Sequence, residues 1–551
     1  MGEMGDINNT HNVHINDANK GESNITLEAK VIILDREEIR ELFKLVFLGN
    51  ELRPEVNKAL AEWLTERILE DPLLRLKFLK KQKALEVMQE RLTRLEWLKW
   101  ESDAITEAES IIINELADAG VKFLTLPVGQ NEYKHYYTIN SILHEGADAK
   151  LISLVGKVTG AAKVSKARTR NLLLARSAFI EWEDLNPPGY IPLADEKILD
   201  LETLTLHDKL EGKYFTVKAG VTISQEDLNQ LKEYLHKYSW DEGEEYLLAQ
   251  APNYAKAYLH VFNTEELRRQ AREMIGAIFF EGVLRKAWIV VGDPGIGKSV
   301  IADALRSALG DLASSLSLVR LFGEENRLVT GELAGKYANI SSESPESMLK
   351  AVDWFKVLTG DRILYGEVKY RRPFKFRNRV KLITFCNQLP LFSRVDVAVL
   401  DRLYIIESEA ESIPEESQDK DLAIKAKQEL KHVFLHILWC YKELEARNFK
   451  LLYAPDRERV QDLIMERAAL LSDFVEACCE TGEEYLEKGQ DIYQAYLAWC
   501  REAGIVKPLG RNTFYAQLSY MGFERIVKKR NVYFKGLKLL KEEKPVETPL
   551  I

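Results

Sequence analysis

The chain has 551 residues, a formal net charge of −10, and 46% hydrophobic against 29% charged residues. That length exceeds one core and implies about three or four domains. The acidic balance excludes a uniformly basic surface, so any nucleic-acid contact must be local. No apolar run reaches the roughly 18–20 residues of a membrane span, so no membrane partner is expected. The five cysteines form no CxxC pair and the nine histidines show no ligand spacing. A disulfide framework or zinc site is therefore not expected, and a reducing interior is.

Residues 1–28 are polar and turn-rich and read as a disordered tail without a secretory signal. Residues 29–120 read as a helical N-terminal domain, with Pro54 and Pro72 each fitting a first helical turn. Leu85, Met88, Leu92 and Leu95 share one stripe. It suits a helix packed in its own domain or a seam between subunits, though the heptads are not sustained. Residues 121–186 are mixed, and Lys157, Lys163, Lys166, Arg168, Arg170 and Arg176 give them a basic face for solvent or nucleic acid. Pro187-Pro188-Gly189 breaks the chain. Residues 187–285 then read as a separate domain of short strands (190–193 and 198–203) and helices (226–237 and 264–285).

Residues 286–412 carry the strongest signal. Gly292-Asp293-Pro294-Gly295-Ile296-Gly297-Lys298-Ser299 fits G-x-x-x-x-G-K-[ST], between a β-branched run at 287–291 and a helical pattern at 300–309. Gly292, Pro294, Gly295 and Gly297 form a loop around phosphates, the glycines letting backbone N–H groups turn inward. Lys298 can reach the β- and γ-phosphates and Ser299 can hold Mg²⁺, so the expected ligands are ATP and Mg²⁺. Residues 336–343 read as a strand ending in Glu343, an acid placed to position Mg²⁺ or the attacking water, with Glu346 and Asp353 as rivals. Residues 363–377 alternate and set aromatics among bases: Lys369, Tyr370, Arg371, Arg372, Lys375, Arg377 and the following Arg379 face the single acid Glu367. Such a hairpin suits a nucleic-acid backbone, with cations on phosphates and rings on bases, or it is simply solvated. Residues 380–387 read as a buried strand ending in Asn387, whose amide can orient the γ-phosphate. Arg402, ahead of another apolar strand, can be presented to a neighbour's nucleotide.

A helical connector is expected over 413–455, a last domain over 456–541 and a tail over 542–551. Helical patterns at 458–471, 491–503 and 511–521 precede two short strands around Lys529-Arg530-Asn531, an order that suggests a winged helix. From 501 to 541 ten bases stand against two acids. Arg511, Lys528, Lys529 and Arg530 are the candidate duplex-DNA contacts, and a protein-docking module is the alternative.

The series Gly292–Ser299, Ser342-Glu343, Lys356-x-Leu358-Thr359-Gly360-Asp361, Tyr370-x-x-Pro373-Phe374-x-Phe376 and Asn387-x-x-Pro390 … Asp396 … Arg402 resembles superfamily 3 helicases. It is more closely similar to phage/plasmid and poxvirus-type primase-helicases, which also carry a phrase like Ile191-Pro192 … Leu199-Asp200-Leu201-x-Thr203. The resemblance implies an α/β chain with an AAA+-like P-loop NTPase core, a helical N-terminal region and a C-terminal winged helix. It implies a homo-oligomeric ring, usually hexameric, that hydrolyses ATP while moving 3′ to 5′ on single-stranded DNA. It gives Lys298 and Ser299 nucleotide and Mg²⁺, Glu343 the Walker B role, Asn387 the sensor role, and Arg402 a place near the subunit boundary. Asp401 stands where many relatives carry a second base. Residues 1–150 show neither a zinc cluster nor a paired-acid strand, so primase activity is not expected on this chain, and a separate primase or polymerase is a candidate partner. The implied setting is cytoplasmic, within a host cell or at a viral replication site. Two other readings stay open: an origin-binding initiator whose ATP controls assembly, and a small-molecule P-loop kinase.

Overall fold

The computed structural model of the chain describes residues 35–86, 93–129, 132–322, 326–342, 351–367, 373–390, 396–503, 508–528 and 531–540. The chain is mixed α/β and divides into two compact units, one of Met1–Ile139 and Leu143–Glu181, the other of Asn140–Ile142 and Trp182–Ile551. No helix among the described residues is long and apolar enough to cross a membrane.

In the first unit, helices α1 (Arg36–Leu48), α2 (Pro54–Ile68), α3 (Pro72–Glu86), α4 (Arg94–Trp100) and α5 (Ser102–Asp118) precede a small sheet. The sheet holds β1 (Lys122–Gly129), β2 (Glu132–Thr138), β3 (His144–Glu145) and β4 (Ala178–Phe179) in the order β3-β2-β1-β4, with α6 (Ala147–Thr159) and α7 (Lys166–Arg176) between β3 and β4 in sequence. Local chemistry sets the boundaries. Asp35 and Glu38 form a reciprocal cap on α1, and Pro54 opens α2 where a missing N–H costs nothing. One core runs through helices and sheet alike, joining Phe43, Leu64, Trp97, Ile112, Phe123, Tyr137, Leu154 and Leu173. Leu95 packs against it, whereas Met88 and Leu92 of the apolar stripe lie outside the described residues. Half of the expected basic face is committed internally. Arg168 lies against buried Glu109, Arg170 pairs with Asp148 at 2.8 Å, and Arg176 donates to the Ser110 carbonyl and to Asn114.

The second unit starts with the antiparallel strands β5 (Tyr190–Pro192), β6 (Ile198–Asp200) and β7 (Thr205–His207), near the short strands read from the sequence. Helices α8 (Gln225–Lys237), α9 (Trp240–Ala249), α10 (Pro252–Val261) and α11 (Glu265–Gly276) follow, with serine capping boxes at Ser224 and Ser239. Next come β8 (Ala287–Val291), α12 (Lys298–Leu309), β9 (Ala313–Ser314), α13 (Leu318–Phe322), β10 (Ala338–Ser341) and α14 (Val352–Gly360). A hairpin of β11 (Ile363–Gly366) and β12 (Phe374–Arg377) leads into β13 (Lys381–Cys386), α15 (Val397–Leu400) and β14 (Leu403–Glu407).

Five of these strands form a parallel sheet in the order β14-β8-β13-β10-β9. Their near-continuous apolar runs reflect burial on both faces. The pleat sorts β8 between two cores: Trp288 and Val290 join the cluster around α10, α12 and α17 (Leu430–Ala446), while Ala287 and Ile289 join the one around α14 and the hairpin. β10 is shorter and more polar than an ordinary central strand, for a local reason. The side chain of fully buried Asn339 accepts from Leu316 N (2.8 Å) and donates to Leu316 O (2.9 Å), tying the strand to the chain after β9.

The helix α16 (Leu422–Ala426) precedes α17. Beyond α17 the chain enters α18 (Arg457–Cys478), β15 (Cys479–Lys488), α19 (Gly489–Glu502), α20 (Arg511–Tyr520), β16 (Glu524–Lys528) and β17 (Asn531–Leu539). The last three strands form an antiparallel sheet, β15-β17-β16, over a separate core that includes Phe474, Ile492, Tyr496, Phe514, Leu518, Phe534 and Leu537. The sequence reading had two strands here; β15, with Glu480, Glu483, Glu484 and Glu487, was hidden by its charge.

Candidate active site

The glycine loop lies between the end of β8 and the start of α12. Gly295 (φ 81°) and Gly297 (φ 101°, the N-cap of α12) take left-handed conformations that a side chain would strain. The loop is also crowded from behind. A Cβ at Gly292 would come within 2.9 Å of Ser408, and one at Gly297 within 3.2 Å of Ala257 on α10. Lys298 is buried, and its ammonium donates to the carbonyls of Gly292 (2.8 Å) and Asp293 (2.6 Å). Burial lowers its pKa below the ordinary lysine value, so a bound anion would be its natural charge partner. Ser299 opens the same helix and is exposed.

The register sets what lies beside the loop. Val291 pairs with Cys386, and Gly292 N donates to Cys386 O at 3.3 Å, so Asn387, exposed, leaves β13 next to the loop's first residue. On the other side of β13, Ser341 pairs with Thr384 and their hydroxyls meet at 3.1 Å. The end of β10 therefore points to the same sheet edge. Glu343, two residues beyond β10, lies outside the described residues.

Arg402 is placed differently. Its carbonyl accepts from Ala287 N at 2.7 Å, which puts it at the start of β14 beside the start of β8. The loop is at the far end of β8, five residues or roughly 16 Å along the strand. The Arg402 guanidinium donates to Ala398 O at 2.7 Å, and its Nε has no hydrogen-bond partner among the described residues. Neighbouring acids are engaged elsewhere: Asp401 takes both arms of Arg457 (2.7 and 3.0 Å), and Asp396 accepts from Lys356 at 2.7 Å. Gly360, from the Lys356–Asp361 motif, lies beside Arg402; a Cβ there would stand 3.4 Å from Nη2, in ordinary contact.

The hairpin has one packed face and one open face. Phe374 stacks on Trp182 with centroids 4.5 Å apart, and Phe376 is buried. Tyr365 (60% exposed) and Lys375 pair across the strands on the other face, the ammonium 5.8 Å from the ring centre. Lys369, Tyr370, Arg371 and Arg372 lie outside the described residues. Arg379 corrects the sequence reading. It is 2% exposed, pairs with Glu281 (3.0 Å), donates to Asn186 O (2.6 Å), and is spent on the fold. In the last domain, Arg511 opens α20 and Lys528 ends β16; Lys529 and Arg530 lie outside the described residues.

Sequence reasoning missed two parts. Lys286, half-buried, directly precedes β8 and so lies alongside Arg402; burial lowers its pKa, against the pull of Asp401. A strap after β14 crosses the loop, with Ser408 Oγ donating to Val261 O (2.6 Å) and Ser412 Oγ to Pro294 O (2.7 Å). Neither belongs to a motif; only the register and the chain path bring them to the site.

Comparison with known proteins gives two family matches. Residues 290–402 match a family of unknown function (DUF5906), and residues 470–543 match one described as poxvirus D5 protein-like. No curated protein matches the chain. Among solved structures, an apo form of the NrS-1 C-terminal region aligns over 77% of this chain and 98% of that chain, at 13% identity and a TM-score of 0.40. A JCV helicase with a bound acetamide aligns over 44% of this chain and 74% of that chain, at 12% identity and a TM-score of 0.18. The resemblance to poxvirus-type primase-helicases is borne out by the match at 470–543.

Proposed function

We propose that the chain is an ATP-dependent DNA helicase: an AAA+-like P-loop motor that assembles into a ring, usually hexameric, and carries a C-terminal winged helix. The observation that carries this reading is the division of roles between the two edges of the parallel sheet. At the carboxyl edge stand the phosphate loop with Lys298 and Ser299, Asn387 on the adjoining strand, and the end of β10 leading towards Glu343. ATP and Mg²⁺ fit that edge: backbone N–H groups and Lys298 meet the phosphates, and the Ser299 hydroxyl can ligate the ion. At the opposite edge stands Arg402, further from its own loop than its side chain extends. An arginine there can reach a nucleotide held by a neighbouring subunit, where it would stabilise charge on the transferring phosphoryl group.

The nucleic-acid side is supported by the open hairpin face with Tyr365 and Lys375, and by the last domain. There α20 is followed by the β16–β17 hairpin, and Arg511, Arg525 and Lys528 lie on elements away from the acidic edge strand β15. Duplex phosphates would approach from the α20 and β16 side.

Strand displacement on 3′- and 5′-tailed duplexes tests the reading. Unwinding of the 3′-tailed substrate with ATP, lost in Lys298→Ala, is the expected result. ATP turnover indifferent to single-stranded DNA, with no unwinding of either substrate, would instead fit an initiator that uses ATP for assembly.

A further inference from the structure

Away from the sheet, three side chains of ligand type converge inside the helical layer. His436 and Cys440 are four residues apart on α17, on one helical face, and Glu244 reaches them from α9. His436 Nε2 lies 3.0 Å from Glu244 Oε1 and 3.4 Å from Cys440 Sγ, and the three ligand atoms lie within 4.8 Å of one another. A tetrahedral ion with bonds of about 2.0–2.3 Å holds its ligands about 3.3–3.8 Å apart. The 3.4 Å sulfur–nitrogen distance falls in that range, and the 3.0 Å nitrogen–oxygen distance must open slightly to admit an ion. Relative exposures are 2% for Glu244, 1% for His436 and 0% for Cys440.

The surroundings are arranged as supports. The Tyr254 hydroxyl meets His436 Nδ1 at 3.3 Å, leaving Nε2 aimed at the cluster. Arg272 donates to the outer carboxylate oxygen of Glu244 at 2.7 Å, and Tyr258 donates to the inner one at 2.8 Å. Such outer partners fix ligand orientation in metal sites. Charge balance points the same way. Buried Glu244, Glu273 and Glu443 are met by Arg272 and Arg447, and Asp241 is answered by Arg269 as well as Arg272. With the exposed Glu265, a second partner of Arg269, set aside and His436 neutral, one negative charge is left over, and a thiolate at Cys440 would make it two. A divalent ion cancels both, where a buried uncompensated charge is costly. The competing occupant is a proton, giving a hydrogen-bonded network with no metal.

We infer that Glu244, His436 and Cys440 hold a divalent transition-metal ion of the zinc class, pinning α9 to α17. The mixed carboxylate, imidazole and sulfur set suits zinc or cobalt and is wrong for magnesium. The site is independent of the nucleotide-binding reading.

The test uses the untagged full chain from zinc-supplemented medium, passed over chelating resin. Elemental analysis should find about one zinc per chain, and less than about a tenth would overturn the inference. Cobalt-exchanged protein should show a sulfur-to-cobalt charge-transfer band that Cys440→Ser removes. Serine at Cys386, Cys478, Cys479 or Cys500 should leave the band in place. If Cys440→Ser does not fold, retention of the band in those four variants assigns the sulfur by elimination. A band that survives Cys440→Ser, or disappears with another cysteine, sends the metal elsewhere and sinks the proposal.

Discussion

The two edges of the central sheet share strands and register but handle charge in opposite ways. At the carboxyl edge the protein offers backbone donors, two positive-φ glycines and a buried lysine that leans on its own loop carbonyls. At the amino edge it gathers cations, Lys286, Arg379, Lys381 and Arg402, and fixes most of them with its own oxygens. Lys381 donates to Phe280 O and Arg379 O, and burial pushes it down to about 7. The difference teaches that, outside a contiguous motif such as the one around Lys298, a cation's sequence neighbourhood does not reveal its task. Arg379 and Lys381 are spent on the fold, Lys298 is available to a ligand, and Arg402 is only partly engaged.

The largest expected effect breaks the carboxyl edge. Lys298→Ala should reduce ATP turnover below detection in a phosphate-release assay while duplex binding persists; turnover at the wild-type rate would end the motor assignment. Breaking the amino edge should come next. Arg402→Ala is expected to bind ATP yet turn over roughly 10³–10⁵-fold more slowly. Mixing these two inactive proteins should restore activity, with a maximum at an intermediate ratio, because some interfaces then pair an intact pocket with an intact arginine. Mixed oligomers that stay silent would rule out action across subunits.

Lys286→Ala sharpens the comparison at smaller scale. If Lys286 joins Arg402 at a neighbour's nucleotide, losing that charge-assisted contact, worth about 1.5–3 kcal/mol, should slow turnover about 10- to 100-fold without weakening nucleotide binding. An unchanged rate would make Lys286 a structural neighbour of Arg402. The smallest effect concerns Lys381. Its pKa is lowered to about 7 in the folded chain, while an unfolded lysine titrates near 10.4. Between those values the unfolded state binds the extra proton, so this group makes stability rise with pH, and the gain is absent below pH 7. Denaturant titrations should find that slope reduced in Lys381→Met by up to about 1.4 kcal/mol per pH unit. Parallel curves for variant and wild type would show the shift to be absent.

The loop, its strand and its helix were legible because one contiguous motif carries them, and Asn387 because its strand is plainly apolar up to the amide. Arg379 was misread as part of the basic hairpin. Its partners Glu281 and Asn186 are distant in sequence, and a cation's ion pair leaves no local pattern. The same distance hid the strap at Ser408 and Ser412, and it hid Glu244, which meets a histidine 192 residues away. β15 was lost because four acids crowded on an edge strand, without period-2 alternation, look like a loop. Periodicity reports burial along one element; it says nothing about which elements meet.

One short strand has a mechanical implication. β14 starts immediately after Arg402 and ends five residues later, where Ser408 and then Ser412 fasten the following chain to α10 and to Pro294 of the loop. It is hydrogen-bonded along its length to β8, the strand that carries the same loop. The segment thus behaves as a stiff push-rod, with one tip at the arginine and the other braced against the pocket. A displacement of the first tip would be carried along so short and so buried a strand rather than spread within it. On the ring proposed above it would arrive at Pro294, handing the load from one nucleotide to the next.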